Sequence, residues 1–173
     1  MRKLTLLISL AALFAWAGAV GSVQAQVQVY TTDSLEYSLE LPTATWKATS
    51  IGDAIQKNPE FVNGERLSGF LRVRKDVKDA DVTMSDLARR DLEQKLRYLP
   101  GFIEGKEEKF NGRLDGVTVS YEFTQTGKPM MGRLYFLQGD ARTAYVLHFT
   151  GLRDSLARIR NQTDLIARSF KLK

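Results

Sequence analysis

Few side chains in this sequence could do chemistry, and its single histidine, His148, is the first to consider. A general base needs a proton donor or a nucleophile within hydrogen-bond reach, and no sequence pattern near His148 supplies one. Its neighbours Leu147 and Phe149 are apolar. We therefore expect His148 to be a hydrogen-bonded histidine of the core. The sequence contains no Cys, which excludes disulfides, thiolate metal sites and a Cys nucleophile.

Two groups of carboxylates are close enough in sequence to be considered as metal ligands. The three glutamates of 104–108 alternate with lysine on one charged segment, which is typical of an edge strand protected by charge. The three aspartates of 76–81 lack the Gly and the terminal Glu of a calcium loop. One His without Cys or a paired carboxylate beside it also argues against zinc. We therefore predict no metal site, no cofactor and no catalytic residue.

Phosphate-binding and hydrolase motifs are missing as well. Gly127-Lys128 lacks the other glycines and the following Ser or Thr of a phosphate-binding loop. Neither Ser120 nor Ser155 lies in the Gly-x-Ser-x-Gly frame of a nucleophile elbow. A hydrolase is therefore the least supported class of function.

The charge of the chain is moderately basic, with 25 Lys and Arg against 20 Asp and Glu and a net charge of +5. Most of the basic residues have an acidic partner at adjacent or helical spacing. This small excess does not indicate nucleic acid, so we expect no nucleic-acid partner. It does suit a peripheral contact with an anionic envelope surface.

The N-terminus has the pattern of a secretory signal peptide. Met1-Arg2-Lys3 is positively charged, residues 4–20 are uncharged and mostly apolar, and Val23-Gln24-Ala25 offers a cleavage site. We predict cleavage between Ala25 and Gln26, so that residues 1–25 are removed and the protein is exported to the periplasm or secreted. The alternative is an uncleaved anchor, since the apolar run approaches the ~20 residues that span a bilayer.

Residues 26–173 are predicted to form one domain, with its core over about 35–171. Alternation of apolar and polar residues indicates strands, at 35–41, 66–74, 102–110, 117–124, 130–138 and 142–150. The segment 102–110 is charged enough to be an edge strand, and 142–150 is apolar on both faces apart from His148, which is typical of a central strand. We expect 26–34 to be a loose start and 43–64 to be a connection with one helical turn.

Two helices are predicted from periodicity. Over 83–99, apolar residues recur at helical spacing, and Thr83 with Asp86 resembles a capping box. Over 152–170, apolar residues follow steps of three and four on one continuous face. We expect Leu156, Ile159 and Ile166 to be buried against the sheet. Antiparallel hairpins with two helices indicate an α+β domain.

The two ends of the domain resemble the PsbP-like family and its DcrB-like bacterial relatives. Tyr37-Ser38-Leu39, followed by Pro42 and Trp46, is similar to the opening strand of the family. At the other end, the strand over 144–149, a helix and Ser169-Phe170 are similar to its closing elements. The resemblance covers residues 37–170 but rests on core and turn residues. It implies an α/β/α sandwich with a central antiparallel sheet flanked by helices.

The same resemblance implies a function among accessory proteins. Plant and cyanobacterial PsbP proteins are lumenal subunits of the oxygen-evolving photosystem, with a long N-terminal extension and ion-binding side chains. This sequence has a single His and a short segment before its first strand, and so is more similar to the exported bacterial members, whose function is obscure.

Two functions remain open at this point. The first is a non-enzymatic exported accessory protein that meets an envelope protein through a sheet edge or a helix face. The second is a binder of a small ligand or envelope polymer, in which Trp46, Tyr121 and Tyr135 would line a pocket; the alternative for these aromatics is the core. The partner and the oligomeric state are unknown from sequence.

Overall fold

The computed structural model describes residues 27–50 and 58–173. Its strands are β1 (Gln28–Tyr30), β2 (Tyr37–Leu41), β3 (Trp46–Ser50), β4 (Glu60–Asn63), β5 (Glu65–Val77), β6 (Ile103–Phe110), β7 (Gly116–Gln125), β8 (Lys128–Gln138), β9 (Thr143–Leu152) and β10 (Lys171–Leu172). Its α-helices are α1 (Met84–Asp91), α2 (Arg153–Arg158) and α3 (Arg160–Ser169), and a π-helical turn over Leu92–Leu96 continues α1. The predicted signal peptide and its cleavage point at Ala25 and Gln26 lie outside the described residues.

Most of the described chain is antiparallel sheet. Seven strands pair in the order β3-β4-β5-β9-β8-β7-β6, and β1, β2 and β10 form a smaller sheet. The central position of β9, between β5 and β8, confirms the expectation for 142–150. The charged strand β6 lies at one edge, as its sequence predicted.

Both faces of the large sheet are covered by apolar residues. On β8, Leu134 and Phe136 belong to one buried cluster, whereas Tyr135 and Leu137 belong to another. Successive side chains of a strand point to opposite faces, so each cluster lies on its own face. Helix α1 contacts β7 and β8 on the first face, and α2 contacts β8, β9 and β5. We call these the α1 face and the α2 face. This is an α+β domain.

Helix α1 begins at the predicted capping box. The Thr83 hydroxyl accepts from the Asp86 amide, and the Asp86 carboxylate accepts from the Thr83 amide and hydroxyl. Met84, Leu87 and Ala88 are buried on the inner face of the helix. The predicted single helix over 83–99 is correct in place, but regular α-helix ends at Asp91 and the next turn is π-helical. Among the described residues, no helix is long and apolar enough to cross a membrane.

The predicted continuous helix over 152–170 is wrong in one respect, because it breaks at Ile159. That residue has φ −98° and ψ 15°, and Leu152 belongs to β9. The Cδ1 atom of Ile159 lies 2.8 Å from the position that a Cβ would take on Gly69, so the break coincides with a tight contact against the sheet. Leu156 and Ile166 are buried as expected, whereas Ile159 is half-buried.

The N-terminal third contains three strands that alternation did not indicate. The expected loose start contains β1, and the expected connection over 43–64 contains β3 and β4. Trp46 is fully buried, and its indole Nε1 donates to Gln162 Oε1 at 2.8 Å. Phe61 is also fully buried. These short strands are formed by pairing and tertiary burial, which outweigh local pattern.

Candidate functional site

An open groove of about 310 Å³ lies on the α1 face, where the chain after α1 leaves part of β5 and β9 uncovered. We call it the Phe70 groove. Its lining residues come from β5, β7, β9 and the end of the π-helical turn: Arg66, Phe70, Arg72, Leu96, Leu99, Tyr121, Phe123, Gln125, His148 and Thr150. It therefore combines apolar, aromatic and cationic groups in one concave surface, which is the usual composition of a binding site.

Phe70 is covered by arginines at the groove. The guanidinium carbon of Arg66 lies 3.8 Å from the Phe70 ring centroid, and that of Arg72 lies 5.7 Å from it. Arg72 also donates Nε and Nη2 to Glu60 Oε1, at 2.9 and 2.5 Å, and Arg66 Nη1 is 3.8 Å from Glu60 Oε2. These two cations and one carboxylate leave a local excess of one positive charge. Because the Arg66 side chain is 62 % exposed, it is accessible to a partner.

His148 lies at the base of the Phe70 groove and is half-buried. Its Nε2 is 2.7 Å from the Tyr121 hydroxyl, so the expected hydrogen bond is confirmed. Burial, and then the charges of Arg74 and Arg72, lower the pKa of His148 to about 4. Burial also raises the pKa of the Tyr121 hydroxyl. At neutral pH both groups are therefore uncharged, and the pair is a neutral hydrogen bond.

Gly132 on β8 makes the position of the Tyr121 ring possible. Tyr121 and Gly132 are opposite each other in the β7–β8 pairing. A Cβ at position 132 would overlap the ring edge and hydroxyl of Tyr121. The ring thus lies across a backbone without a side chain, and Gly132 is a precondition for the bond between Tyr121 and His148.

A buried ion cluster beside the groove joins β5 to the end of α1. Asp91 is 2 % exposed, and its carboxylate accepts from Arg74 Nη2 and, at 2.6 Å, from Lys95 Nζ. Arg74 also contacts Asp76 at 3.0 Å. Burial opposes the charge of Asp91, but the hydrogen bonds from Lys95 and Arg74 outweigh it and hold the pKa of this carboxyl below its usual range. The Asp91–Lys95 pair has i,i+4 spacing with the acid first, which is the favoured orientation on a helix.

The other chemical candidates of the sequence do not converge. The glutamates of 104–108 are exposed on β6; Glu107 accepts from Ser85, and Glu108 pairs with Arg160. In the described ranges 27–50 and 58–173, no three His, Cys, Asp or Glu residues are grouped to hold a metal ion. Trp46 and Tyr135 are buried on the α2 face and Tyr121 on the α1 face. The three aromatics therefore do not line one pocket.

Sequence reasoning did not single out the residues of β5 that line the groove. Arg66, Phe70 and Arg72 occupy alternate positions of β5 and so share one face, but single-sequence alternation does not tell which part of that face a helix covers. Among the described residues, the Tyr121 hydroxyl is the hydrogen-bond partner of His148. A Tyr hydroxyl of raised pKa and a neutral imidazole form a polar contact at the base of the groove.

The described chain has an α+β fold of the PsbP/Mog1-like type. The structure is similar to cyanobacterial PsbP (CyanoP) from Synechocystis sp. PCC 6803, with 16 % identity and a TM-score of 0.57 over 92 % of this chain and 99 % of that one. It is also similar to the Ran-binding protein Mog1p of Saccharomyces cerevisiae, with 9 % identity and a TM-score of 0.63 over 86 % and 96 % of the two chains.

A third neighbour is the protein of unknown function PA94 from Pseudomonas aeruginosa, with 16 % identity and a TM-score of 0.52 over 86 % of this chain and 99 % of that one. No protein-family model and no curated protein sequence matches the chain. At these identities the likeness shows the fold alone.

Proposed function

We propose that this chain is an exported, non-enzymatic accessory protein of the bacterial envelope that binds a partner protein through the Phe70 groove. The observation that carries the proposal is the exposed guanidinium of Arg66, which lies 3.8 Å from the ring of the buried Phe70 in an open concave surface of the α1 face. Arginine and aromatic side chains are enriched at the centre of protein interfaces.

The chemistry of the groove favours an acidic segment of the partner. Arg66 and Arg72 face a single carboxylate, that of Glu60, so an incoming Asp or Glu would complete the charge balance. Leu96, Leu99 and Phe123 supply apolar walls for a neighbouring aliphatic side chain. An acidic peptide with one apolar anchor is therefore the occupant that we propose.

The absence of an enzymatic activity is part of the same proposal. His148 is neutral at pH 7, and its described hydrogen-bond partner is a Tyr hydroxyl of raised pKa. A general base that activates a nucleophile needs a pKa near the working pH, which this His does not have. We propose that the Tyr121–His148 pair shapes the base of the groove.

The location and the family belong to the proposal as well. The N-terminal pattern supports a cleaved signal peptide and a periplasmic or secreted protein, and the fold shared with CyanoP supports a place in a PsbP-like/DcrB-like family with an α/β/α sandwich. No nucleic acid is expected as a partner, and the basic excess allows peripheral contact with an anionic envelope surface.

A site-specific cross-linking experiment tests the groove. A photo-reactive residue would replace Gln125 at the groove in one strain and Lys171 on β10 in another, with the protein exported by its own host. We expect one envelope protein to cross-link from the groove and not from Lys171. With that partner purified, Arg66→Glu should weaken binding about tenfold or more, because it places like charges together, and Lys171→Glu should not.

Two results would overturn the proposal. One is cross-linking that is equal from both positions, or an Arg66→Glu variant that binds the partner as well as the unaltered protein does. The other is turnover of an envelope substrate by the purified protein that a folded His148→Gln variant loses, which would make this chain an enzyme.

A further inference from the structure

A second recess, on the α2 face and thus on the opposite side of the sheet from the Phe70 groove, contains two buried polar groups without partners. It has a volume of about 330 Å³ and lies between β6, β7, β8, the end of α2 and the first residue of α3. Thr118 and Arg133 line it, and they are only 5 % and 9 % exposed. Neither the Thr118 hydroxyl nor the Arg133 Nε has a hydrogen-bond partner among the described residues. We call this the Arg133 recess.

Orphaned polar groups of this kind are costly, and proteins rarely keep them without a reason. A buried hydroxyl or N–H without a partner has lost its hydrogen bonds to water and gained none in the protein. Both groups here line the same concave surface, so a single molecule in the recess could satisfy both. The wall of the recess therefore contains an O–H and an N–H donor that are covered in this structure and that a small side-chain movement would turn toward a bound molecule.

The position of Arg133 is fixed by its neighbours. Its Nη2 donates to Asp164 Oδ1 at 3.1 Å, and the same oxygen accepts from the Tyr135 hydroxyl at 2.6 Å. The Arg133 guanidinium carbon is also 5.2 Å from the Tyr135 ring centroid. Asp164 thus takes one N–H of Nη2 and leaves the Nε–H without an acceptor among the described residues.

The charges around the Arg133 recess indicate the charge of the ligand. Arg133 is balanced by Asp164, and Arg160 at the rim is balanced by Glu108 at 3.4 Å. Lys106 also lines the recess and has no ion pair in the described part of the chain. The local balance is therefore one positive charge, which suits a monoanion. Two donors match the two oxygens of a carboxylate.

We propose that the Arg133 recess binds a small organic carboxylate. One oxygen of the carboxylate would accept from Arg133 Nε and the other from the Thr118 hydroxyl, and Lys106 lines the same recess. Met131, Leu156 and Ala157 form the apolar wall of the recess and would pack against a short hydrocarbon chain. The volume lies at the lower end of the range for small-molecule sites, about 300–1,000 Å³. This binding does not depend on the Phe70 groove.

The test adds hexanoate, the neutral hexanamide or inorganic phosphate to the full mature chain. Binding of each probe is monitored by NMR through the amide chemical shifts of the protein. Hexanoate should bind saturably and shift residues 118–120 and 131–133, and hexanamide and phosphate should bind at least about tenfold more weakly. Thr118→Val and Arg133→Met should each weaken hexanoate binding about tenfold, the loss expected for a hydrogen bond to a charged group. Thr124→Val, an exposed threonine on the same strand, should leave binding unchanged.

Each contrary result would overturn one part of the proposal, either the chemical class of the ligand or the site. The carboxylate assignment is wrong if phosphate or hexanamide binds as tightly as hexanoate. The site itself is wrong if hexanoate does not saturate, or if folded Thr118→Val retains full affinity. Thr118→Val removes only an unpartnered hydroxyl, so it keeps the test decisive even if Arg133→Met unfolds the protein by leaving Asp164 without its cation.

Discussion

Acidification should destabilise this protein through His148, over a pH range set by the difference between its folded and unfolded pKa. The folded pKa is lowered from 6.5 to about 4, because the ring is buried and faces Arg74 and Arg72. Between these values the unfolded chain binds a proton at His148 and the folded chain does not. Stability therefore rises with pH across this range, and it is lost as the pH falls from about 6.5 to about 4.

The size of the effect follows from the two pKa values. One pKa unit corresponds to about 1.4 kcal/mol, so the free energy of unfolding should fall by about 3 kcal/mol between pH 7 and pH 4 on account of His148. About half of that loss should be reached near pH 5.5. Asp91 acts in the same direction but at lower pH, because its carboxyl pKa is held below the usual value.

The contribution of His148 can be isolated by urea unfolding of the unaltered protein and of the His148→Gln variant. Both are measured at half-unit steps from pH 4 to 7.5. Glutamine cannot be protonated and can still hydrogen-bond Tyr121. The free energy of unfolding of the variant should therefore no longer fall between pH 6.5 and 4 on account of residue 148, while the pH dependence that comes from the carboxylates is kept. Any constant offset between the two proteins reports packing and not titration. Parallel curves, or a His148 ring that titrates near pH 6.5 by NMR, would refute the reasoning.

Three further changes should affect stability in distinguishable ways. Gly132→Ala should cost about 1–3 kcal/mol by overpacking, and should move the His148 pKa upward, because the displaced Tyr121 ring admits water; an unshifted titration would contradict this. Thr118→Val should raise the free energy of unfolding by about 1 kcal/mol in ligand-free buffer, since it removes a buried hydroxyl that has no partner; a loss would contradict it. Leu156→Ala should cost about 2–5 kcal/mol and the half-buried Ile159→Ala clearly less; equal costs in urea unfolding would contradict the half-buried position of Ile159.

Strands with clear alternation were predictable because their two faces meet different environments. The central strand β9 could be recognised since it is apolar on both sides, and the edge strand β6 since it is charged. The capping box at Thr83 is likewise a local feature, complete within four residues. In each case the information lies within one segment, where periodicity and local hydrogen bonding act.

Segments whose structure depends on a distant partner were not predictable in this way. The strand β3 exists through its pairing with β4 and the burial of Trp46, whose indole bonds Gln162, 116 residues further along the chain. The helix break at Ile159 coincides with a contact to Gly69 on a strand far away in sequence. The periodicity of a short segment carries no information about contacts with residues so far away in the sequence.

The sequence by itself determined which side chains are available for chemistry, since it contains one His and no Cys. Only the tertiary structure decided where its polar groups meet. It put Arg66 on Phe70, lowered the pKa of His148 by burial, and left Thr118 and Arg133 with unpaired donors in one recess. The physical reason is that composition sets which groups are available, whereas burial and pairing, which set their energies, arise from the packing of residues far apart in the chain.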